Sequence, residues 1–173
     1  MSLLDDVSIV VTPNGYKAGE LYAVVPVPTE GAELITNGDF TTNVVGWNKF
    51  KSNATESWNA GGYLDFTKTG SSGRLGSDVS LETNKIYKIS VDVISLGGIL
   101  NLILGLSDFE SPYAGVSSST LVVGVNTFYL KYTGSAASKG FYLQSGGTDY
   151  YGLTASISNV SVKEYTSADM DVT

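Results

Sequence analysis

Residues 37–47 read NGDFTTNVVGW: a turn, an aromatic residue, a short polar loop and a glycine–tryptophan pair. The leading Asn-Gly pair accepts the positive backbone torsions of a tight turn. Phe40 is placed to plug the edge of a β-sandwich, and Gly46 leaves room for Trp47 to enter the core beside it. The stretch is therefore interpreted as a signature of the fold, with Trp47 as a structural residue.

Composition excludes several classes of function. The chain has 173 residues, 42% hydrophobic and 16% charged, which suits one globular domain with room for an additional arm. It has no cysteine and no histidine, so disulfides, thiolate metal sites and Ser-His-Asp or Cys-His catalysis are excluded. The net charge is −7 with ten thinly spread Lys and Arg residues, which disfavours a nucleic-acid partner. The longest apolar stretch, residues 91–106, is too polar to span a membrane, and the opening residues lack the basic segment of a signal peptide.

Strand periodicity runs through most of the chain. Apolar and polar residues alternate in residues 86–94, and every even position of residues 100–106 is leucine, which indicates strands with one buried face. In the last segment the apolar row changes phase near Ser158 and Asn159, which predicts a β-bulge. The predicted strands are Trp47–Lys51, Thr55–Asn59, Gly62–Lys68, Arg74–Ser80, Ile86–Ile94, Ile99–Ser107, Leu121–Val123, Thr127–Thr133, Gly140–Gln144 and Leu153–Tyr165, and the predicted buried residues are Val91, Leu102, Leu104, Phe128 and Val160.

A separate β arm precedes these strands. Asp6–Val11 and Leu21–Val25 are apolar and β-prone, and the turn residues Thr12–Gly15 between them predict a hairpin. An isolated hairpin is marginal in water and leaves open edges, so the arm is expected to pair with another chain, another domain or the sandwich itself. The segment Pro26–Gly31 predicts a link that stops a continuous strand from running into the sandwich.

The sandwich segment resembles a known superfamily at both of its ends. Glu33–Phe40 (ELITNGDF), the Gly46-Trp47 pair and the closing Ile157–Glu164 (ISNVSVKE) are similar to the opening and closing motifs of jelly-roll carbohydrate-binding modules. The resemblance implies an all-β fold, a jelly-roll β-sandwich of two antiparallel sheets over residues 33–165. An N-terminal β-hairpin arm with its linker occupies residues 1–32, and a tail or the start of a further segment occupies residues 166–173.

The two ends of the chain resemble segments of structural proteins from tailed phages, particularly marine ones. This resemblance covers residues 1–34 and the closing VSVKEYTSADMDVT at residues 160–173. It implies that the chain is the N-terminal part of a longer virion protein, a tail-fibre or capsid-decorating protein on the virion surface. The arm would then bind other virion proteins and form a homo-oligomer, with a trimer favoured, while the jelly roll would contact host glycans.

Jelly rolls of the superfamily often hold a structural calcium ion between the first and last strands, bound by carboxylate and backbone oxygens. At two positions where the resemblance implies acidic ligands, this chain has Thr41 and Ser158. Both changes remove a carboxylate, so weak calcium binding or none is expected, with Asp39 and the backbone around Asn159 as the remaining ligands. No other cofactor is expected.

Sugar binding needs exposed aromatic faces for stacking and polar side chains for the hydroxyl groups. Eleven tyrosines are many for this length, although tyrosine is also favoured in strands and at protein interfaces. The aromatic candidates off the predicted core rows are Trp58, Tyr63, Tyr129, Tyr142, Tyr150 and Tyr151, and the polar candidates are Asn101, Lys131 and Gln144. Sugar contact, a protein interface and ordinary packing stay open for each of them.

A non-enzymatic virion structural or appendage protein is the preferred function, because a module joined to an enzyme has little use for the strand-rich arm. The alternative is a secreted carbohydrate-binding module of a bacterial glycoside hydrolase. An enzyme in its own right ranks third, since a glycosidase needs two carboxyl groups flanking a cleft. Asp108 and Glu110 stand two residues apart in one predicted loop, which is more typical of a solvated surface, so no catalytic residue is expected.

Overall fold

The computed structural model describes residues 15–17, 20–22, 27–50, 54–70, 74–104, 117–134, 140–145 and 152–167. These residues form strands, turns and loops, and none of them belongs to a helix that could cross a membrane. The chain divides into two compact units, Met1–Thr29 with Thr166–Thr173, and Glu30–Tyr165. The second unit is a jelly-roll β-sandwich, which confirms the predicted fold class.

Two sheets build this sandwich. In chain order the strands are β1 (Gly15–Lys17), β2 (Glu20–Tyr22), β3 (Thr29–Glu33), β4 (Trp47–Phe50), β5 (Ala54–Asn59), β6 (Tyr63–Lys68), β7 (Arg74–Ser77), β8 (Ile86–Gly97), β9 (Leu100–Leu104), β10 (Ser117–Thr120), β11 (Gly124–Lys131), β12 (Phe141–Ser145) and β13 (Thr154–Thr166). The five-stranded sheet has the order β10-β9-β12-β7-β4. The six-stranded sheet has the order β11-β8-β13-β6-β5, and β3 also pairs with β13. Neighbours along both orders are antiparallel.

The first unit contains an antiparallel pair formed by β1 and β2. Of the predicted turn Thr12–Gly15, Gly15 belongs to β1, and the other three residues lie outside the described residues. The predicted strand Asp6–Val11 lies outside the described residues.

Strand β3 occupies the end of the segment that was predicted to be a link. It pairs with β13, and the N–H of Leu34 donates to the carbonyl of Val162 at 2.9 Å. The second half of the predicted link, from Thr29 to Gly31, therefore belongs to a strand of the sandwich. Both prolines precede β3, so every residue of that strand keeps an N–H for pairing.

The core lies between the two sheets and follows the predicted alternation. Val91, Leu102 and Val160 are buried, as predicted. Phe128 is partly buried and packs against the core, and the side chain of Leu104 lies outside the described part of the structure. Burial of these apolar rows is the main force that holds the sheets together.

The predicted strand Leu121–Val123 is wrong, because these residues form the turn between β10 and β11. The Asn126 side chain holds this turn. Its Oδ1 accepts from Val122 N at 2.9 Å, and its Nδ2 donates to the carbonyls of Val122 and Gly124 at 2.7 Å each. A side chain that satisfies the turn's backbone competes with strand pairing, which the apolar pattern alone does not reveal. The strand Ser117–Thr120, which precedes the turn, was not predicted.

The predicted β-bulge is present in β13. The pairing with β8 shifts register between Ser158 and Ser161, and Asn159 has a positive φ of 49°. A second shift between Ser156 and Ile157 was not predicted. The main bulge directs the backbone of the last strand toward the NGDF turn, which determines the geometry of the first candidate site.

Candidate functional site

The NGDF turn is a structural element, as predicted. Phe40 and Trp47 are fully or almost fully buried, with ring centroids 5.0 Å apart, and Trp47 meets Phe141 edge-on at 5.8 Å. The indole N–H of Trp47 donates to the carbonyl of Asn37 at 3.2 Å. Positive φ values occur at Asn37 (54°) and Phe40 (48°). These contacts bind the turn to the core and confirm that Trp47 is structural.

Gly38 is required by a close approach between backbones. A Cβ atom at this position would lie 2.0 Å from the carbonyl oxygen of Val160, far inside any real contact. The same two residues are joined by a hydrogen bond from Val160 N to Gly38 O at 2.9 Å. The first turn and the last strand of the sandwich are therefore in direct backbone contact.

A cleft of about 500 Å³ opens beside this contact, and we call it the NGD cleft. Its polar lining consists of Glu33, Asn37, Asp39, Ser90, Asn159 and Ser161. The two predicted calcium ligands, Asp39 and Asn159, are thus brought to one cleft.

The carboxylate of Glu33 is occupied by hydrogen bonds inside the protein. Its Oε1 accepts from the N–H groups of Leu34 (3.1 Å), Ile35 (3.0 Å) and Val162 (2.8 Å). Its Oε2 accepts from the Ser161 hydroxyl at 2.5 Å. Glu33 therefore links the start of the jelly-roll unit to its last strand.

This lining fits a calcium ion poorly. Calcium takes six to eight oxygen ligands, usually with several carboxylates. Among the described residues that line the NGD cleft, Asp39 is the only carboxylate besides the occupied Glu33. No group of three His, Cys, Asp or Glu residues that could hold a metal ion occurs within the described ranges.

A row of polar residues crosses the outer face of the five-stranded sheet, and we call it the polar row. Arg74 on β7 pairs with Gln144 on β12, Gln144 pairs with Asn101 on β9, and Asn101 pairs with Thr120 on β10. Their strand neighbours Leu75, Leu100, Leu102 and Leu143 lie in the core, so the polar row faces away from it. The Thr120 hydroxyl donates to Asn101 Oδ1 at 2.9 Å.

Tyr142 lies on the same face but is not an exposed aromatic surface. Its side chain is only 2% exposed, so the prediction that it offers a ring face for stacking is wrong. A Cβ atom at Gly76 or Gly140 would lie within 2.3 Å of its ring or hydroxyl. Tyr142 therefore packs closely over these two glycines.

The outer face of the six-stranded sheet carries a second group, which we call the Tyr129 patch: Tyr129, Tyr165, Lys88, Glu30 and Lys163. Tyr129 is 53% exposed and meets Tyr165 edge-on, with ring centroids 4.6 Å apart. Glu30 on β3 accepts a short hydrogen bond from Lys88 and a longer one from Lys163 at 3.5 Å. The bond with Lys88 lowers the pKa of the Glu30 carboxyl and raises the pKa of the Lys88 ammonium.

Trp58 and Tyr63 lie on the β5–β6 hairpin. Trp58 is 40% exposed, but its indole N–H donates to the carbonyl of Phe40 at 2.8 Å. Tyr63 is half-buried, and a Cβ atom at Gly61 would lie 2.5 Å from its ring. A sugar role for either residue stays a prediction.

No family model and no curated protein matches the chain. Solved structures do match. A family 4 carbohydrate-binding module has a TM-score of 0.54 at 16% identity, with 75% of this chain and 99% of that chain covered. A mutant of the family 29 module CBM29-2 has a TM-score of 0.51 at 12% identity, with 79% and 86% covered. The chain has the jelly-roll fold of carbohydrate-binding modules.

A third match shows the same fold in a larger protein. It is the CBM22-1 and GH10 modules of a Clostridium thermocellum xylanase, complexed with xylohexaose, with a TM-score of 0.51 at 16% identity. The match covers 82% of this chain but 29% of that one. At these identities the similarity establishes the fold and leaves the ligand to be argued from the residues.

The structure distributes the predicted sugar-binding residues over both faces. Asn101, Gln144 and Tyr142 share the five-stranded face, while Tyr129 lies on the six-stranded face. Alternation in the sequence of β7 could have indicated that Arg74 faces away from the core and is available as a polar site residue. The positions of Tyr165 and Glu30 beside Tyr129 and Lys88 depend on strand pairing that the sequence does not reveal. Tyr150, Tyr151, Asp108 and Glu110 lie outside the described residues.

Proposed function

We propose that this protein is a non-enzymatic carbohydrate-binding jelly roll that serves as part of a phage virion structural or appendage protein. The observation that carries the sugar-binding part is the polar row on the five-stranded sheet. The likeness to carbohydrate-binding modules supports it at the level of the fold.

The polar row matches the chemistry of a sugar chain. Adjacent strands are spaced by about 4.8 Å, so the four side chains extend over roughly 14 Å across the sheet. The amide of Asn101 can donate and accept, and the hydroxyl of Thr120 can do either. The Oε1 of Gln144 is buried, so that Gln144 can contribute its amide NH₂ as a donor, and the guanidinium of Arg74 is a donor. A glycan lying across the strands would meet a donor or an acceptor at each one.

Affinity at the polar row is expected to be weak, because Tyr142 is buried and the row supplies hydrogen bonds without a described aromatic platform. Net gains from hydrogen bonds exchanged with water are small, about 1 kcal/mol each. Xylohexaose, the ligand of the xylanase structure, and other neutral glycans on an array are suitable probes.

The double variant Asn101→Ala, Gln144→Ala tests the site. Its signal on glycans that the polar row binds should fall about tenfold or more, since two hydrogen-bonding groups of about 1 kcal/mol each are removed. Thr55→Ala, an exposed threonine on the edge strand β5, is a matched control that should bind as the wild type does. Unchanged binding by the double variant would refute the site.

The virion role is supported by the resemblance of both ends of the chain to tailed-phage proteins. In this role, residues 1–32 attach the protein to other virion proteins and assemble it as a homo-oligomer, with a trimer favoured, on the virion surface. Light scattering on the full chain and on a form beginning at Glu30 decides the matter. A full-length oligomer and a truncated monomer are expected; two monomers would refute the assembly role.

A secreted carbohydrate-binding module of a bacterial glycoside hydrolase fits the fold equally well. It differs in predicting a monomer at both lengths. In either setting, no turnover of polysaccharides is expected because the chain has neither histidine nor cysteine and no paired-acid cleft was identified in its sequence.

A further inference from the structure

The Tyr129 patch joins an exposed aromatic ring to a line of charged groups. Tyr129 lies opposite Lys88 in the β11–β8 pairing, and Lys88 lies opposite Lys163 in the β8–β13 pairing. The neighbours of Tyr129 along its strand, Phe128 and Leu130, pack against the core, so Tyr129 projects from the outer face. The aromatic ring and both ammonium groups therefore stand side by side on adjacent strands.

The patch contains two ammonium groups and one carboxylate, so two positive charges share one negative charge. Glu30 binds both Lys88 and Lys163, which fixes the ammonium groups and leaves one carboxylate between them. The patch consequently presents fixed hydrogen-bond donors and an acceptor, and its single excess positive charge gives little attraction for a polyanion. A neutral ligand that can both donate and accept is favoured over a charged one.

The same face continues into the NGD cleft. Ser90 follows Lys88 by two residues on β8, Ser161 precedes Lys163 by two residues on β13, and both serines line the cleft. Two residues along a strand correspond to about 7 Å, so a chain-like ligand seated at Tyr129 can reach the cleft. The acidic Glu33 and Asp39 there disfavour an anionic ligand.

We propose that the outer face of the six-stranded sheet is a second carbohydrate site, in which a neutral sugar ring stacks on Tyr129 and hydrogen-bonds Lys88 and Glu30, with the glycan extending toward the NGD cleft. Aromatic stacking beside fixed polar groups is the combination that recognises a sugar ring. The protein is then bivalent, with one glycan on each sheet.

This site is independent of the polar row, which lies on the other sheet. A protein partner is the competing occupant, but a stable protein interface has an apolar centre. Val125 on β11 and Ile94 on β8 are exposed aliphatic side chains of this face. They lie four residues from Tyr129 and six residues from Lys88 along their strands, and the nearest residues to Tyr129 across the sheet are the charged Lys88 and then Lys163, which favours the sugar.

The test uses an array of neutral glycans probed with the full chain in five forms: the wild type, Tyr129→Thr, Tyr129→Phe, Val125→Thr, and Asn101→Ala with Gln144→Ala. Threonine keeps the strand preference of β11, and melting curves check that each form folds. Tyr129→Thr should lose signals that the double variant retains, with solution affinity about tenfold weaker, the equivalent of one aromatic contact. Tyr129→Phe and Val125→Thr should bind as the wild type does.

The outcomes separate the two sites. If Tyr129→Thr keeps every wild-type signal while the double variant loses them, the second site is refuted and the polar row stands. If only Tyr129→Thr loses binding, the second site stands and the polar row is refuted. A wild type that binds no neutral glycan refutes both. A change of molecular mass in Tyr129→Thr, with unchanged glycan binding, assigns the face to a protein partner and also refutes the second site.

Discussion

Replacement of Glu33 by alanine tests how the jelly-roll unit is closed. The Glu33 carboxylate accepts three backbone N–H groups, from Leu34, Ile35 and Val162, and the hydroxyl of Ser161. It thereby joins β3 to β13.

The magnitude depends on which donors water can reach after the substitution. The N–H of Leu34 keeps its hydrogen bond to the Val162 carbonyl, and Ser161 keeps a hydroxyl that can rotate toward solvent. Ile35 and Val162 are buried, so their N–H groups lose a charged acceptor, although Glu33 itself is exposed and both bonds are only partly shielded from water. A hydrogen bond to a charged group contributes about 1.5–3 kcal/mol, and two partly shielded bonds each fall at or below the lower end of that range, so Glu33→Ala should cost about 2–3 kcal/mol. For a unit of this size the melting temperature should fall by roughly 6–9 °C.

Urea and thermal unfolding of the full chain measure the effect, with the fluorescence of buried Trp47 as the signal. Ser161→Ala is the matched control, because it removes one solvent-accessible donor and should cost less than about 1 kcal/mol. Glu33→Gln keeps one acceptor oxygen toward the N–H groups and should fall between the two. Each form is measured with calcium and with a chelator, and neither addition should shift the transition.

Two results would refute this reasoning. A Glu33→Ala protein within about 0.5 kcal/mol of the wild type would mean that water replaces the carboxylate at no cost. A wild-type melting temperature that rises by several degrees with calcium, in a manner abolished by Glu33→Ala, would make Glu33 a metal ligand instead of a hydrogen-bond acceptor.

Three further predictions follow from the same unit. Gly38→Ala should lower the stability by about 3–4 kcal/mol, because the new Cβ overpacks against Val160 and a backbone hydrogen bond is lost. Gly62→Ala is the control: its Cβ would meet nothing within 4 Å, so it should cost only the backbone strain of about 1–2 kcal/mol. Equal melting temperatures of the two variants would contradict the steric argument. The Lys88 hydrogen bond lowers the pKa of Glu30, so the wild type should be more stable than Glu30→Gln at neutral pH. This difference in stability should disappear as the pH falls through the lowered pKa, below the ordinary glutamate range. A melting-temperature difference that stays constant from neutral pH to below about pH 4 would exclude the linkage. Trp58→Phe removes an indole donor and should lower the stability by about 1 kcal/mol in urea titrations, while a stability equal to that of the wild type would show that the hydrogen bond contributes nothing.

The fold could be predicted because local pattern and tertiary packing agree. Alternation identified Val91 and Leu102 as core residues, and the phase change near Asn159 located the bulge. The structural role of the NGDF turn could be predicted because the large aromatic side chains of Phe40 and Trp47 are most stable when buried in the core. Each of these features is set within a few residues of sequence.

The candidate sites could not be predicted to the same degree, because they depend on which strands are neighbours. Gln144 and Asn101 were selected as separate polar residues, and only the β12–β9 pairing places them side by side. Tyr142 follows the same alternation as an exposed residue, yet it is buried over Gly76 and Gly140. Alternation assigns a side chain to a face of a sheet, but it does not reveal whether that face is covered.

Weak binding at each site is consistent with an assembled protein. Hydrogen bonds at the polar row and a single tyrosine at the Tyr129 patch would each give low affinity by themselves, because binding also costs translational freedom. An oligomer formed through the N-terminal arm would present several copies of both faces to one glycan-coated surface. Linked sites can raise the overall affinity by about 10²–10⁴ without any new contact. Full-length protein should therefore bind immobilised glycans far more tightly than the form beginning at Glu30. The two forms should bind a soluble monovalent oligosaccharide with equal affinity. Equal binding of both forms to the glycan-coated surface would show that the arm contributes no avidity.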